Sequence, residues 1–197
     1  MFAIGLDLGQ KRDHTAIVVL ERLRRHAYLV GPDKELLVRA AERLPLGLAY
    51  PEIVEIVKHV VRVVSARLGH GDSCQLVVDA TGVGKPVVDM LHPSGLGCWM
   101  TAVTITSGDK QHARSGEGSS MNVPKQNLMA GLQLALDQEE LRIAKKMPSA
   151  GTLTRELLDV RMARREFGGN QYGAEGAGKH DDLVIALALA VWRAKTW

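Results

Sequence analysis

The chain has 197 residues, 46% of them hydrophobic and 24% charged, which suits one sizeable core or at most two small ones and excludes a disordered or fibrous protein. Lys and Arg outnumber Asp and Glu by 25 to 22, a net charge of +3, so composition alone names no nucleic-acid partner and any basic face must come from local clustering. Cys74 and Cys98 are the only cysteines, which excludes a disulfide scaffold and a cysteine-based zinc cluster and fits a reducing compartment. The N-terminal apolar run holds an acid, unlike a signal peptide, and the longest apolar run, Leu183 to Trp192, is too short to span a bilayer. The expectation is a cytosolic protein with no membrane partner.

Residues 2–9 (FAIGLDLG) and 13–21 (DHTAIVVLE) are apolar, β-branched runs separated by QKR, the pattern of a hairpin of buried strands. A third extended run falls at about 26–31, with strand-like continuation through 36–44. Pro51 marks a helix start, and Ile53, Val57, Val60, Val61, Val64 and Leu68 recur at helical spacing, predicting an amphipathic helix of about five turns. QLVVDA is a short buried strand ending in Asp79; a helix is predicted at 84–92 and a strand at 98–106. Residues 107–121 are dense in Gly and Ser without apolar periodicity and predict a mobile surface loop. Leu128, Leu132 and Leu136 line a helix starting near Pro124, LRIA is strand-like, and Leu153, Leu157 and Val160 mark a further helix. A Gly-rich stretch at 167–179 precedes a last helix, HDDLVIALALAVWRA. The order β-β-β-α-β-α-β-α implies an antiparallel meander continued by parallel strands, one mixed sheet with helices over its faces.

Acidic residues mark three places in this scheme. Asp7 interrupts an apolar strand between Leu6 and Leu8, where an uncompensated carboxylate is costly. Asp79 ends the first parallel strand, and Asp181 and Asp182 open the last helix. Singly, the last three read as turn formers or N-caps. Together, with the first and fourth strands adjacent, they form a cluster in which two carboxylates at about 4 Å repel by ~4 kcal/mol at an effective dielectric near 20. Such a cluster calls for hard divalent cations, Mg²⁺ or Mn²⁺, and the chemistry implied is metal-dependent phosphoryl transfer to water.

The strings GLDLGQKRDHTAIVV, LPLGLAYPEIVEIV, VVDATGVGKPVVDML, VTITSGD, VPKQNL and AGKHDDLVIALALAVW, colinear over nearly the whole chain, resemble the nuclease domain of phage large terminase subunits, a branch of the ribonuclease H-like superfamily. The resemblance implies an α/β, ribonuclease H-like fold: a mixed sheet of five strands or slightly more, order 3-2-1-4-5, strand 2 antiparallel, helices on both faces. It implies a DNA endonuclease that cleaves concatemeric double-stranded DNA during genome packaging by two-metal-ion hydrolysis, in the cytosol of a bacterial host. Its metal ligands carry over to Asp7, Asp79 and the Asp181–Asp182 pair, both members lining the site with Asp182 ahead. Implied partners are a terminase ATPase domain, a small terminase subunit and the portal ring. No ATPase is expected within residues 1–197, read as one nuclease domain: in DATGVGKPV, Asp79 stands where a P-loop needs its first glycine and Pro86 where it needs Ser or Thr.

Among supporting residues, Lys125 could reach the scissile phosphate or orient water, or be a solvated helix-start lysine. His180 suits a proton shuttle or an equally ordinary capping role; Asp13 and His14 read as turn residues and Thr15 as a strand hydroxyl. Candidate DNA contacts are Lys11 and Arg12 at the hairpin, Lys110, His112 and Arg114 in the loop, and Arg161, Arg164 and Arg165, groups that position phosphates without reading sequence. Two alternatives remain open. GLDLG with TAIVV also resembles the first phosphate loop of the actin, heat-shock ATPase and sugar-kinase superfamily, although those proteins pair two such domains, and a catalytically inactive prophage remnant that only binds DNA would share the pattern.

Overall fold

The computed structural model describes residues 1–9, 13–24, 34–82, 84–108, 112–113, 119–164, 170–174 and 181–196. Eight strands form one sheet: β1 (Phe2–Asp7), β2 (Ala16–Arg24), β3 (Lys34–Arg43), β4 (Cys74–Asp79), β5 (Trp99–Thr106), β6 (His112–Ala113), β7 (Ser119–Pro124) and β8 (Leu141–Ile143), in the spatial order β6-β7-β5-β4-β1-β2-β3-β8. Five of these, read as β3-β2-β1-β4-β5, are the ribonuclease H-like order, with β2 antiparallel to both neighbours and β4 parallel to β1 and β5. The sheet grows beyond five at both edges, where β7 adds parallel to β5 and β8 parallel to β3. Two further strands, β9 (Val160–Arg164) and β10 (Asn170–Ala174), make a separate antiparallel pair.

Helices cover both faces because the strands alternate. Phe2, Ile4 and Leu6 of β1 and Cys74, Leu76 and Val78 of β4 face α1 (Tyr50–Ser65) and α2 (Gly84–Leu91). The opposite phase, Ala3 of β1 and Val77 of β4, faces α3 (Lys125–Asp137), α4 (Ala150–Asp159) and above all α5 (Asp182–Thr196). In α5 every residue from Asp182 to Trp192 is buried, as expected for a helix apolar on all sides and enclosed between a sheet and other helices. Its alanines allow a close approach, and Gly5 completes it: a Cβ at Gly5 would overlap the carbonyl oxygen of Ala186. The far end of α5 is tied down as well. The buried Arg22 donates to the Ala194 carbonyl at 2.6 Å, and Arg193 donates twice to Gln75 Oε1, at 2.9 and 3.1 Å.

Several expectations need correction. Residues 107–121 are not one loop: His112–Ala113 and Ser119–Pro124 are strands, because Met121 and Val123 alternate onto the α5-side core and pairing with β5 outweighs the weak strand propensity of the serines. Val160 does not continue its helix; α4 ends at Asp159 and the chain turns extended to pair with residues 170–174 of the Gly-rich stretch. The first helix has 16 residues, somewhat over four turns. The run at 26–31 lies outside the described residues, and the third strand is Lys34–Arg43. That strand carries a bulge, since Val19 pairs with Ala40 and Leu20 with Val38.

Replacing Gly5 by Ala should push α5 off the sheet and destabilise the fold by about 1–3 kcal/mol, the usual cost of overpacking. Urea unfolding of Gly5→Ala against the parent chain measures it.

Candidate metal and nuclease site

Alternation decides where the acids go. Asp7 follows Ala3 and Gly5 on the α5 side of β1, and Asp79 follows Gln75 and Val77 on the same side of β4. The strands are parallel and adjacent, with Leu6 opposite Val78, so both carboxylates stand at the same end of neighbouring strands. The N-terminus of α5 arrives over that end and brings Asp181 and Asp182. The structure thus gathers Asp7, Asp79, Asp181, Asp182 and Lys125. Lys125, the first residue of α3, donates to Asp181 Oδ2 at 3.0 Å.

The electrostatics show the crowding. Burial holds the Asp7 carboxyl well above the ordinary range; the carboxylates of Asp79, Asp182 and Asp181 push it further, and only the Lys125 ammonium pulls it back. Burial also raises Asp79, opposed by hydrogen bonds from Thr81 and by Lys125. The Thr81 amide donates to Asp79 Oδ1 at 2.8 Å, while the Thr81 hydroxyl oxygen accepts from the Ile105 amide at 2.8 Å, so the Asp79 turn is bound to β5.

Two residues of this neighbourhood were not anticipated. Glu156 of α4, only 6% exposed, accepts from the Leu183 amide at 3.1 Å, and its carboxylate also takes a hydrogen bond from the Val184 backbone. Arg43, the last residue of β3, pairs through Nη2 with Glu156 Oε1 at 2.6 Å and through Nε with Asp182 Oδ2 at 3.4 Å. Burial, partly offset by the Arg43 guanidinium, pushes Glu156 up to about 7. A signal for Glu156 exists in the sequence: it shares the i, i+3, i+4, i+7 stripe of Leu153, Leu157 and Val160, where an acid is out of place. Arg43 is hidden by the β3 bulge, which changes the phase of alternation between Val38 and Ala41.

Oxygen-only donors, crowded enough to raise Asp7, fit a hard divalent cation. Among the described residues no three His, Cys, Asp or Glu side chains are already arranged to hold an ion. Of the α5 pair, Asp181 is paired with Lys125 and Asp182 with Arg43. His14 Nδ1 donates to the Leu44 carbonyl oxygen at 2.9 Å, and the Thr15 hydroxyl oxygen accepts from the Gly9 amide at 3.3 Å; both serve the β1–β2 connection. Lys11, Arg12, Lys110, Arg114, Arg165 and His180 lie outside the described residues, and His112, Arg161 and Arg164 are described by backbone position alone.

The sheet has the ribonuclease H-like order, with carboxylates at the ends of its central parallel strands and on its last helix. More particularly, the chain has the fold of large terminase nuclease domains. It is similar to the large terminase nuclease of thermophilic phage G20c, solved with bound magnesium, at a TM-score of 0.64 and 23% identity over 98% of this chain and 81% of that one. The large terminase nuclease domain of Thermus phage P74-26 matches at 0.57 and 20% identity, covering 96% of this chain and 77% of that one. A manganese-soaked human cytomegalovirus terminase nuclease domain matches at 0.59 and 13% identity, over 96% and 81%. No family model and no curated protein matches the sequence.

A carboxyl whose folded pKa lies above its unfolded value contributes stability at low pH that is lost as pH rises through the folded value. For Asp7, Asp79 and Glu156 the window opens near an unfolded value of about 4 and, for Glu156, extends to about 7. In EDTA the urea midpoint should therefore fall between pH 5 and pH 8, and Asp7→Asn should raise the midpoint at pH 8 by removing a buried charge that three neighbouring carboxylates oppose.

Proposed function

We propose that this chain is a divalent-metal-dependent DNA endonuclease of the terminase type, residues 1–197 forming one nuclease domain that hydrolyses phosphodiester bonds of double-stranded DNA. The observation that carries this reading is the convergence of Asp7 and Asp79 with the α5 pair, on a fold shared with terminase nucleases solved with magnesium or manganese. Asp7, Asp79, Asp181 and Asp182 would hold the metal, with two ions in the active complex. Bound there, the metal supplies Lewis-acid stabilisation of the charge that develops on a phosphodiester undergoing attack by water.

The protein's own part is to present and restrain these groups. The Thr81 amide keeps Asp79 in one orientation. Lys125, with its side chain 31% exposed, restrains Asp181 and offers an ammonium to an arriving phosphate. Lys11, Arg12, Lys110, His112, Arg114, Arg161, Arg164 and Arg165 are proposed to hold the DNA backbone, giving weakly sequence-specific, salt-sensitive binding. In a packaging assembly the partners would be an ATPase domain, a small DNA-recognition subunit and a portal ring.

Supercoiled plasmid should be nicked in Mn²⁺ or Mg²⁺ and left intact in EDTA. Asp79→Asn should lose about a hundredfold or more in rate, since the stabilisation at stake amounts to several kcal/mol. Cutting in EDTA, or full activity in Asp79→Asn, overturns the assignment. Lys125→Ala should retain the fold and lose about tenfold or more, comparable with the removal of one well-placed charged donor, measured as the single-turnover nicking rate.

A further inference from the structure

The first two residues of the last helix region, Asp181 and Asp182, occupy positions where acids ordinarily cap a helix. Asp181 is the N-cap by backbone geometry, because its carbonyl accepts the Ile185 amide at 2.8 Å. An aspartate there ordinarily spends its carboxylate on the amides of N2 or N3. In this chain those amides, Leu183 and Val184, are met by Glu156, a residue of another helix. Glu156 therefore caps α5 from outside. The same carboxylate, through Oε1, also holds the Arg43 guanidinium, whose Nε faces Asp182 Oδ2 at 3.4 Å. Glu156 and Asp182 are 6% and 7% exposed, so these ion pairs lie largely away from bulk water, where the loss of one partner is felt by the other.

We propose that Glu156 and Arg43 are positioning residues of the metal site: Glu156 takes over the capping of α5, which keeps the Asp181 and Asp182 carboxylates available to a divalent cation, and Arg43, held by Glu156, sets the orientation of Asp182. The proposal rests on the metal-site reading above and deepens it by naming the groups that make the acidic pair available. Glu156 touches neither the ion nor the DNA and acts through α5 and Arg43. With Glu156 truncated, the Leu183 and Val184 amides lose their acceptor, and an aspartate of the pair turns back to cap its own helix, away from the cation.

The test measures Mn²⁺ binding to the DNA-free protein by calorimetry, beside the Mn²⁺ dependence of plasmid nicking, in the parent chain and in Glu156→Ala, Glu156→Gln, Arg43→Ala and Arg43→Lys, each checked for its fold by circular dichroism. Removing groups that orient metal ligands typically weakens metal binding about 10–100-fold. Glu156→Ala and Arg43→Ala should fall in that range, with nicking partly recovered at saturating Mn²⁺ and plasmid affinity unchanged. Glu156→Gln keeps an amide oxygen for the α5 amides and should lie between parent and Glu156→Ala in Mn²⁺ affinity, a readout that a merely packed glutamate would leave unmoved in all folded variants; should an alanine variant fail to fold, the Gln and Lys variants decide. Folded variants that bind Mn²⁺ within twofold of the parent overturn the proposal and leave the nuclease reading intact. A parent that binds Mn²⁺ without cutting DNA breaks the nuclease reading while the calorimetric comparison still decides the proposal, and a parent that neither binds nor cuts overturns both.

Discussion

The contact between the backbone of α5 and the floor of the sheet at Gly5 is the constraint from which the rest follows. A helix normally stands off a sheet by the thickness of its side chains, yet here the carbonyl of Ala186 occupies the space that a Cβ at residue 5 would need. That approach is possible because α5 presents alanines among its leucines and because β1 carries Ala3 and Gly5 on the facing phase. Its consequence is functional: the start of α5 is held directly over the end of β1, so Asp181 and Asp182 face Asp7 with little freedom to retreat. Arg22 at the Ala194 carbonyl and Arg193 at Gln75 restrain the other end, which fixes the helix along its axis as well as in height.

Holding four carboxylates at one end of a sheet works against stability, and the molecule answers with cations drawn from different elements. Lys125 comes from the start of α3 to Asp181, and Arg43 comes from the end of β3 to Asp182. Asp7 is pushed well above the ordinary range by burial and by the three acids around it, opposed by Lys125. The acids are thus partly neutralised by cations from other elements, and the buried Asp7 stands among them. The outer capping of α5 by Glu156 fits the same economy, since it satisfies helix amides without drawing on the acids that face inward.

Much of this was legible in the sequence, for identifiable reasons. Asp7 stood out because a charge inside an apolar strand is expensive wherever the strand is buried, and a mixed sheet followed from three consecutive extended runs succeeded by alternating helices and strands, while the strand order came from the resemblance. Residues 119–121, expected in the loop, belong to β7 because its pairing with β5 is a long-range event, and local Ser and Gly content says nothing of a neighbouring strand edge. Arg43 was invisible because a bulge in β3 shifts the phase of its alternation, so a position that looks outward by counting from Leu36 faces the core side. Glu156 left a fainter trace, an acid on an apolar helical stripe, which has meaning only when the facing element is known.

The sequence by itself determined which residues are apolar, at what period, and which acids fall at the ends of strands and helices; periodicity of 2 and 3.6 is a property of local backbone geometry and needs no partner to be read. Only the tertiary structure decided that these acids meet, and which cations and cap attend them. Whether Asp7, Asp79, Asp181 and Asp182 are four separate turn and capping residues or one acidic site depends on how strands 1 and 4 pair and how far α5 sinks onto the sheet. Both are set by contacts between residues tens of positions apart, which no local pattern contains.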